Sequence, residues 1–235
     1  MHILARLLIA HLLGDFVFQN DWFAKKKSQY QLRSYHLYLH AVIHAGLSWI
    51  LLWEWKYWYV FPIIGVSHLA IDAGKLYLSG KWNKRWLFAL DQLAHLLVLI
   101  GLYLAMTNKE FLWWEGFELI AWPLICCILF LTTPVAIMLK VFFTRWTLTE
   151  EDTGIYGLKN AGKWIGIIER LLIFLFIITD HFSAVGLLLT AKSVFRFGDL
   201  SKAKNMKLTE YVLIGTLLSF GIAILVGLLF KGLYL

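Results

Sequence analysis

The chain has 235 residues, of which 60% are hydrophobic and 16% are charged, and it carries a net charge of +7. With a mean hydropathy of +0.69, it has too few polar residues to cover a water-soluble globule of this size. The composition therefore excludes an ordinary soluble domain and predicts an integral membrane protein. Basic loops beside anionic lipid account for the net positive charge, so we predict membrane lipid as a partner and no nucleic acid.

Apolar runs divide the chain into segments that each approach the roughly 20 residues a membrane-spanning helix needs. The predicted fold is all-α, a polytopic membrane bundle of seven or eight transmembrane helices. The first and seventh segments are short, so either is also compatible with a re-entrant or interfacial helix. The predicted helices cover residues 3–19, 35–54, 57–78, 86–106, 117–142, 163–180, 182–197 and 208–233.

The connections between these segments alternate in charge. Those after the first, third, fifth and seventh segments are rich in lysine and arginine, whereas the connections between them carry few cations. By the positive-inside rule, the basic connections face the cytoplasm and both termini lie on the outer side. We predict two halves, residues 1–106 with a polar site and residues 107–235 with a cytoplasmic loop at 143–162. The basic residues are Lys25, Lys26, Lys27 and Arg33, then Lys81, Lys84 and Arg85, then Lys140, Arg145, Lys159 and Lys163, then Lys202, Lys204 and Lys207.

Histidine and aspartate recur within the first four segments at a spacing of four residues. Residues four apart lie on one face of a helix, about 6 Å apart along its axis. Because successive segments run in opposite directions, their polar residues are predicted to meet at two depths, roughly 8 Å and 14 Å below the cytoplasmic boundary. The shallower set, here the aspartate layer, is Asp15, His40, Asp72 and Asp91, and the deeper set, the histidine layer, is His11, His44, His68 and His95.

These two layers predict a metal site. A charged side chain at the centre of a membrane helix costs about 2.5–3.5 kcal/mol, so three aspartates with histidine neighbours are poorly explained by packing alone. Nitrogen and oxygen ligands without a thiolate suit zinc, with manganese or iron as alternatives, and helical bundles hold one or two such ions in their cores. The predicted ligands are His11, Asp15, His40, His68, Asp72, Asp91 and His95, and hydrogen bonds from Gln19, His44 and Gln92 are predicted to orient them.

The second half contributes three cations on the predicted cytoplasmic side. Arg170, Lys192 and Arg196 lie within or near the ends of the sixth and seventh segments. One interpretation is a basic surface that holds an anion or a lipid head group. The other is that these side chains extend to the head groups, with Glu169 paired to Arg170.

The order of motifs in the first half resembles an uncharacterised bacterial membrane-protein family, domain of unknown function 3307. The resemblance implies a multi-pass protein of the bacterial inner (cytoplasmic) membrane and brings no established reaction with it. The motifs are H-x-x-x-D-x-x-x-Q at His11, Asp15 and Gln19, H-x-x-x-D-x-x-K at His68, Asp72 and Lys75, and D-Q-x-x-H at Asp91, Gln92 and His95.

The site favours an intramembrane metal-dependent enzyme, a hydrolase acting on a lipid or another membrane-embedded substrate at the cytoplasmic leaflet. The metal would lower the pKa of a bound water and polarise the bond to be cleaved. Asp15 and Lys75 are the predicted catalytic residues, with Asp15 as the general base and Lys75 beside an anionic part of the substrate. The alternative is a divalent-cation or proton-coupled transporter that uses the same cluster. A third interpretation is a structural protein in which the cluster only holds the helical bundle together. The sequence shows no inverted repeat of the site, which favours the enzyme.

Overall fold

The computed structural model describes residues 2–107, 120–146, 161–203 and 206–235. Within these ranges the chain is α-helical, with no β-strand apart from one isolated bridge between Ser79 and Trp82. The predicted all-α fold class is therefore confirmed. The helices are α1 His2–Leu13, α2 Asp21–Tyr30, α3 Tyr35–Leu52, α4 Val60–Leu78, α5 Lys84–Met106, α6 Ala121–Leu131, α7 Thr133–Phe143, α8 Ala161–Ile178, α9 Phe182–Ala203 and α10 Met206–Tyr234.

Each of the eight predicted segments contains a helix, with two differences. The chain adds α2 where the sequence predicted a connection, and the fifth segment breaks at Thr132 into α6 and α7. The break has a local cause, because Pro134 in the first turn of α7 lacks a backbone donor and its ring clashes with the carbonyl one turn earlier. Residues 117–119 of the fifth segment and 147–160 of the predicted cytoplasmic loop lie outside the described residues.

Contacts divide the chain into two compact units, Met1–Leu129 and Phe130–Leu235. The sequence predicted a boundary at residue 106, ahead of α6. The beginning of α6 belongs to the first unit because Arg6 donates a hydrogen bond to the Leu52 carbonyl at 3.2 Å and its guanidinium lies 4.6 Å from the centre of the Trp122 ring. An apolar core beneath this contact joins α1, α3, α4 and α5 through Leu7, Leu52, Val60, Ile64 and Leu99.

The first unit buries a polar cluster beside its apolar core and exposes large apolar side chains. The histidine and aspartate layers are largely buried, whereas large apolar side chains such as Val42, Val66 and Leu97 face outward from α3, α4 and α5. Charged residues are seldom buried in soluble proteins, and outward apolar surface of this kind marks contact with lipid or with another protein.

Three helical segments are long and apolar enough to cross a membrane: Lys84–Met106, Ala121–Phe143 and Lys207–Tyr234. A fourth is added if Ile3–Phe18 and Asp21–Arg33, which meet at 87°, form one bent span. Helices α3 and α4 are not among them, because the histidine and aspartate side chains that they bury lower their average hydropathy. The coarse prediction of a membrane protein is thus supported by three to four candidate spans.

In the second unit, α8 packs closely against α10. A Cβ at Gly227 would lie 2.9 Å from the side chain of Ile177, so glycine permits this approach.

Buried Arg170 on α8 stabilises the break between α6 and α7. It donates hydrogen bonds to the carbonyls of Leu131 at 2.6 Å and Thr132 at 3.0 Å, and to the Ser219 hydroxyl at 3.2 Å. The Thr132 carbonyl also accepts from the Ala136 backbone N–H at 3.3 Å, and at the Leu131 carbonyl, where α6 ends, the guanidinium serves as a donor in place of the next turn of helix.

Replacing this guanidinium should destabilise the second unit. We expect Arg170→Met to lower the free energy of unfolding by about 3 kcal/mol, because two carbonyls and a hydroxyl lose a charged donor. Denaturation in mixed detergent micelles measures the change. Arg145→Met, which alters an exposed arginine, is the control. Equal stability of the two variants would contradict the assigned role of Arg170.

Candidate metal centre

Asp15 is placed by an irregular end of the first helix. After Leu13 the chain continues as a π-helical turn, Gly14–Phe18, and turns of this type are frequent at functional sites. Gly14 faces the imidazole of His44 so closely that a Cβ there would lie 2.3 Å from His44 Nε2. The π-helical turn and the glycine together bring the Asp15 carboxylate against α3.

The Asp15 carboxylate lies at the centre of the cluster. Its Oδ1 is 3.1 Å from Nε2 of His40, 3.1 Å from Nε2 of His44 and 3.7 Å from Nε2 of His68. Its Oδ2 is 3.7 Å from Nε2 of His11. One carboxylate therefore contacts imidazoles from α1, α3 and α4.

Three rings of the histidine layer form one stack, and the fourth lies tilted beside it. The His68 ring lies between that of His44, with centroids 3.6 Å apart, and that of His95, 4.1 Å away, and both pairs are nearly parallel. The His11 ring completes the layer at 5.1 Å from His95 and 5.5 Å from His44. The structure thus brings together four histidines from four helices at the level the helix directions predict.

Gln92 connects the two layers. Its amide nitrogen donates to Asp15 Oδ2 at 2.9 Å and to Asp91 Oδ2 at 3.2 Å, and its oxygen lies 3.3 Å from His11 Nε2. These bonds match the orienting contacts expected around metal ligands. Gln19, for which the same role was predicted, is half-buried just beyond the π-helical turn, and no hydrogen bond among the described residues joins it to the cluster.

Two lysines neutralise two of the carboxylates. Lys27 Nζ lies 2.6 Å from Asp72 Oδ2, and Lys75 Nζ lies 2.6 Å from Asp91 Oδ2. The sequence predicts Lys75 as a site residue but places Lys27 in a cytoplasmic connection. The spacing of Phe23 and Lys27, four residues apart and both buried, is the feature that could have identified the inward face of α2.

Three overlapping groups of side chains could hold a metal ion, each with its ligand atoms within 4.8 Å of one another. His68, Asp15 and His95 each belong to two groups, so the groups form one connected site. Every predicted ligand except Asp72 belongs to a group, and so does His44, for which an orienting role was predicted. The groups are Asp15, His40, His44 and His68; His11, His68 and His95; and Asp15, Asp91 and His95.

Several ligand atoms of this site have no hydrogen-bond partner. Nε2 of His44, His68 and His95 and Oδ1 of Asp91 are fully buried and make no hydrogen bond. The His44 Nε2 lies near Asp15 Oδ1, but outside hydrogen-bond geometry. A buried polar atom left without a partner costs about 1–3 kcal/mol. Each of the three groups contains two of these four residues, so a cation held by any one group can satisfy two of the atoms, and the residues present fit a bound metal ion.

A small cavity adjoins the histidine layer. Its volume of about 10 Å³ is close to the minimum for one water molecule. All four imidazoles of the layer line it, together with Ser48 and Ser67 and apolar side chains of α4 and α5. The site therefore combines metal-ligating atoms with space for one small ligand.

Two of the three predicted anion-binding cations, Arg170 and Lys192, have partners within the second unit. Arg170 binds the carbonyls at the α6–α7 break, and Lys192 Nζ lies 2.5 Å from Glu169 Oε2. Lys192, rather than Arg170, is thus the cation paired with Glu169. The side chain of Arg196 lies outside the described residues, and binding of an anion by these cations stays a prediction.

The close approach at Gly14 gives a test of the site's geometry. Gly14→Ala should displace the His44 ring and lower metal affinity about 10- to 100-fold, the loss typical when an orienting contact is removed. Competition with a chelator of known affinity measures the change. Gly46→Ala on α3 is the matched control, since a Cβ there would meet no atom within 4 Å. Unchanged affinity in Gly14→Ala would contradict the placement of His44 in the site.

The architecture and the cluster define a class: an all-α protein with candidate membrane spans and a buried histidine–aspartate centre that could hold a metal ion. Residues 3–122 match the family described as "Protein of unknown function (DUF3307)", and the chain belongs to this family. The resemblance drawn from the three motifs is confirmed, and the matched range contains the whole cluster. No curated protein and no solved structure matches the chain.

Proposed function

We propose that the protein is an intramembrane metal-dependent hydrolase that acts on a lipid or another membrane-embedded substrate at the cytoplasmic leaflet. The observation that carries the proposal is the set of three buried imidazole Nε2 atoms without hydrogen bonds, from His44, His68 and His95, beside the Asp15 carboxylate. In a purely structural core these buried nitrogen atoms would be expected to form hydrogen bonds with neighbouring groups.

Charge balance favours one divalent ion over two. Asp15, Asp72 and Asp91 contribute three negative charges and Lys27 and Lys75 two positive charges, which sum to −1 when the imidazoles are neutral, as metal ligation requires. One divalent ion brings the buried site to +1, whereas two bring it to +3. Uncompensated charge in a low-dielectric interior is costly, so we propose a single ion.

The group His11, His68 and His95 supports a catalytic rather than a structural ion. Three protein ligands with an open position are typical of catalytic zinc, and the water-sized cavity adjoins these three residues. We propose zinc first, with manganese or iron as alternatives. When bound, the metal supplies Lewis-acid activation of a water molecule and of the bond to be cleaved.

Asp15 and Lys75 carry the remaining roles in this proposal. Asp15 contacts imidazoles of both layers and is held by Gln92, so it is placed to accept a proton as general base. Lys75 touches the cluster through Asp91, yet a third of its side chain is exposed. It is therefore placed to contact an anionic group of a substrate that approaches from outside the bundle.

The substrate class and location follow from the surroundings of the site. Apolar side chains cover the outward faces of the helices that carry it, so a substrate already dissolved in the bilayer has the shortest route. We propose eight membrane spans with both termini outside, in the bacterial inner membrane. On this proposal α3 and α4 also span, their polar residues facing inward.

A divalent-cation transporter is the second candidate, and one observation favours it. The first helix ends in the π-helical turn Gly14–Phe18, which carries Asp15, and the chain bends by 87° between this helix and the segment Asp21–Arg33. Discontinuous helices beside an ion site are typical of secondary transporters.

One experiment separates the two functions. The purified protein is reconstituted with one equivalent of zinc in phosphatidylethanolamine and phosphatidylglycerol, and lipid products are identified by mass spectrometry. Sealed vesicles of the same composition report zinc uptake with an internal fluorescent indicator. Lipid products that require both metal and His68, lost in His68→Gln, support the hydrolase. Zinc uptake without lipid products supports the transporter. If metal stays bound but neither lipid products nor zinc uptake is detected, both functions are contradicted.

A further inference from the structure

Helix α2 runs across the first unit rather than along it. The segment Asp21–Arg33 makes an angle of 87° with Ile3–Phe18. If α1 crosses a membrane, α2 then runs nearly parallel to the membrane plane. Its start is fixed by Asn20, whose side chain accepts a hydrogen bond from the Phe23 backbone at 2.8 Å.

The inward face of α2 is anchored to the cluster. The Phe23 ring lies 5.0 Å from the ring of His36 and 5.9 Å from that of His40. One turn later, Lys27 pairs with Asp72. These contacts fix the rotation of the helix about its axis and so determine which of its side chains stay exposed.

The side chains that stay exposed on α2 and on the Gln31–Arg33 turn after it include both apolar and basic groups. Trp22 is 60% exposed, and Tyr30 and Leu32 are also exposed, next to the exposed Val17 and Phe18 of the preceding turn. Lys25 and Arg33 are exposed, and Lys26 is half-buried against Tyr30. We name this the α2 surface, formed by Trp22, Lys25, Lys26, Tyr30, Leu32 and Arg33.

We propose that the α2 surface lies in the headgroup layer of the membrane and binds anionic phospholipid headgroups. Amphipathic helices with aromatic side chains and lysines rest at this depth, and their cations attract anionic lipid. The α2 surface carries three cations, and within the segment Asp21–Arg33 the one carboxylate is that of exposed Asp21, so a phosphate-bearing anionic headgroup is the complementary partner. The proposal requires a membrane but is independent of the metal ion and of any reaction.

The test uses the full-length protein in vesicles that contain lipids brominated at chosen chain depths, which quench nearby tryptophans. The difference in emission between wild type and Trp22→Phe isolates Trp22. We expect stronger quenching of Trp22 by shallow than by deep bromines, and stronger quenching by brominated phosphatidylglycerol than by brominated phosphatidylcholine. The triple variant Lys25→Gln, Lys26→Gln, Arg33→Gln should lower the phosphatidylglycerol preference about fivefold or more.

The charge-conserving variant Lys25→Arg, Lys26→Arg, Arg33→Lys is the matched control and should keep the preference. Three results would overturn the proposal: quenching of Trp22 by aqueous iodide but not by lipid bromines, stronger quenching by deep bromines, or equal quenching by the two lipids. The metal content of the same preparations tests the metal site separately. Failure of the lipid-binding proposal can therefore be distinguished from failure of the metal-site proposal.

Discussion

Asp15→Asn is expected to abolish tight binding of divalent metal while the helical bundle stays folded. Asp15 is the proposed general base rather than a ligand of the proposed ion, but its carboxylate lies within 3.7 Å of four imidazole nitrogens, including those of the proposed ligands His11 and His68. The substitution keeps the size of the side chain and an oxygen that can accept from Gln92, but it removes one negative charge. The cluster charge then rises from −1 to 0, and affinity should fall by more than about a hundredfold, beyond the loss seen for orienting residues.

Elemental analysis of washed, detergent-solubilised protein measures this effect directly. Wild type should retain about one equivalent of zinc, manganese or iron, in line with the single ion that charge balance favours. Asp21→Asn is the matched control, since it makes the same chemical change at an exposed position on α2. Full retention of metal in Asp15→Asn, with wild-type helicity by circular dichroism, would contradict the metal centre.

The helices and most of the cluster could be predicted from the sequence for simple physical reasons. Long apolar runs specify helices in a membrane protein, and pairs such as His11 and Asp15 mark the inward face because residues four apart share one side of a helix. Short connections make neighbouring helices antiparallel, which brings polar residues of different helices to the same depth. Both the fold class and the meeting of the two layers follow from these local rules.

The features that the sequence did not predict depend on tertiary contacts. Helix α2 buries only Phe23 and Lys27, so its pattern resembles that of a basic loop. The position of Lys27 against Asp72 depends on a sharp turn after the π-helical residues, for which spacing gives no rule. Likewise, the sequence predicts Arg170 as a cation at the membrane surface, whereas in the structure it is buried and donates to backbone carbonyls at the break near Thr132. In each case a charged side chain has an interior partner that local sequence does not specify.

Asp72 shows the difference between what local spacing predicts and what tertiary contacts determine. From spacing alone it is equivalent to Asp15 and Asp91 and was predicted as a metal ligand. In the structure its Oδ2 is 2.6 Å from Lys27 Nζ, with side chains that are only 4% and 7% exposed, and 3.6 Å and 3.9 Å from Nε2 of His40 and His68. The Lys27 ammonium group thus lies beside Asp72 Oδ2, at the place where a metal ion would bind if Asp72 were a ligand.

Lys27→Met is therefore expected to lower the free energy of unfolding by about 3–5 kcal/mol, because it leaves the Asp72 carboxylate buried without its ammonium partner. The double variant Lys27→Met, Asp72→Asn should recover most of that loss, since neither charge remains, and it should retain metal as wild type does. Denaturation in mixed micelles and elemental analysis measure the two properties on the same samples.

Lys25→Met controls for loss of an exposed lysine from the same helix. If Lys27→Met were no more destabilising than Lys25→Met, the buried ion pair would contribute nothing to stability. If Asp72→Asn alone removed the metal, Asp72 would be a ligand, as its spacing predicts, and Lys27 would be the group that the metal displaces. The contrast with Asp15→Asn thus separates a carboxylate whose charge is needed for metal binding from a carboxylate that holds the bundle together.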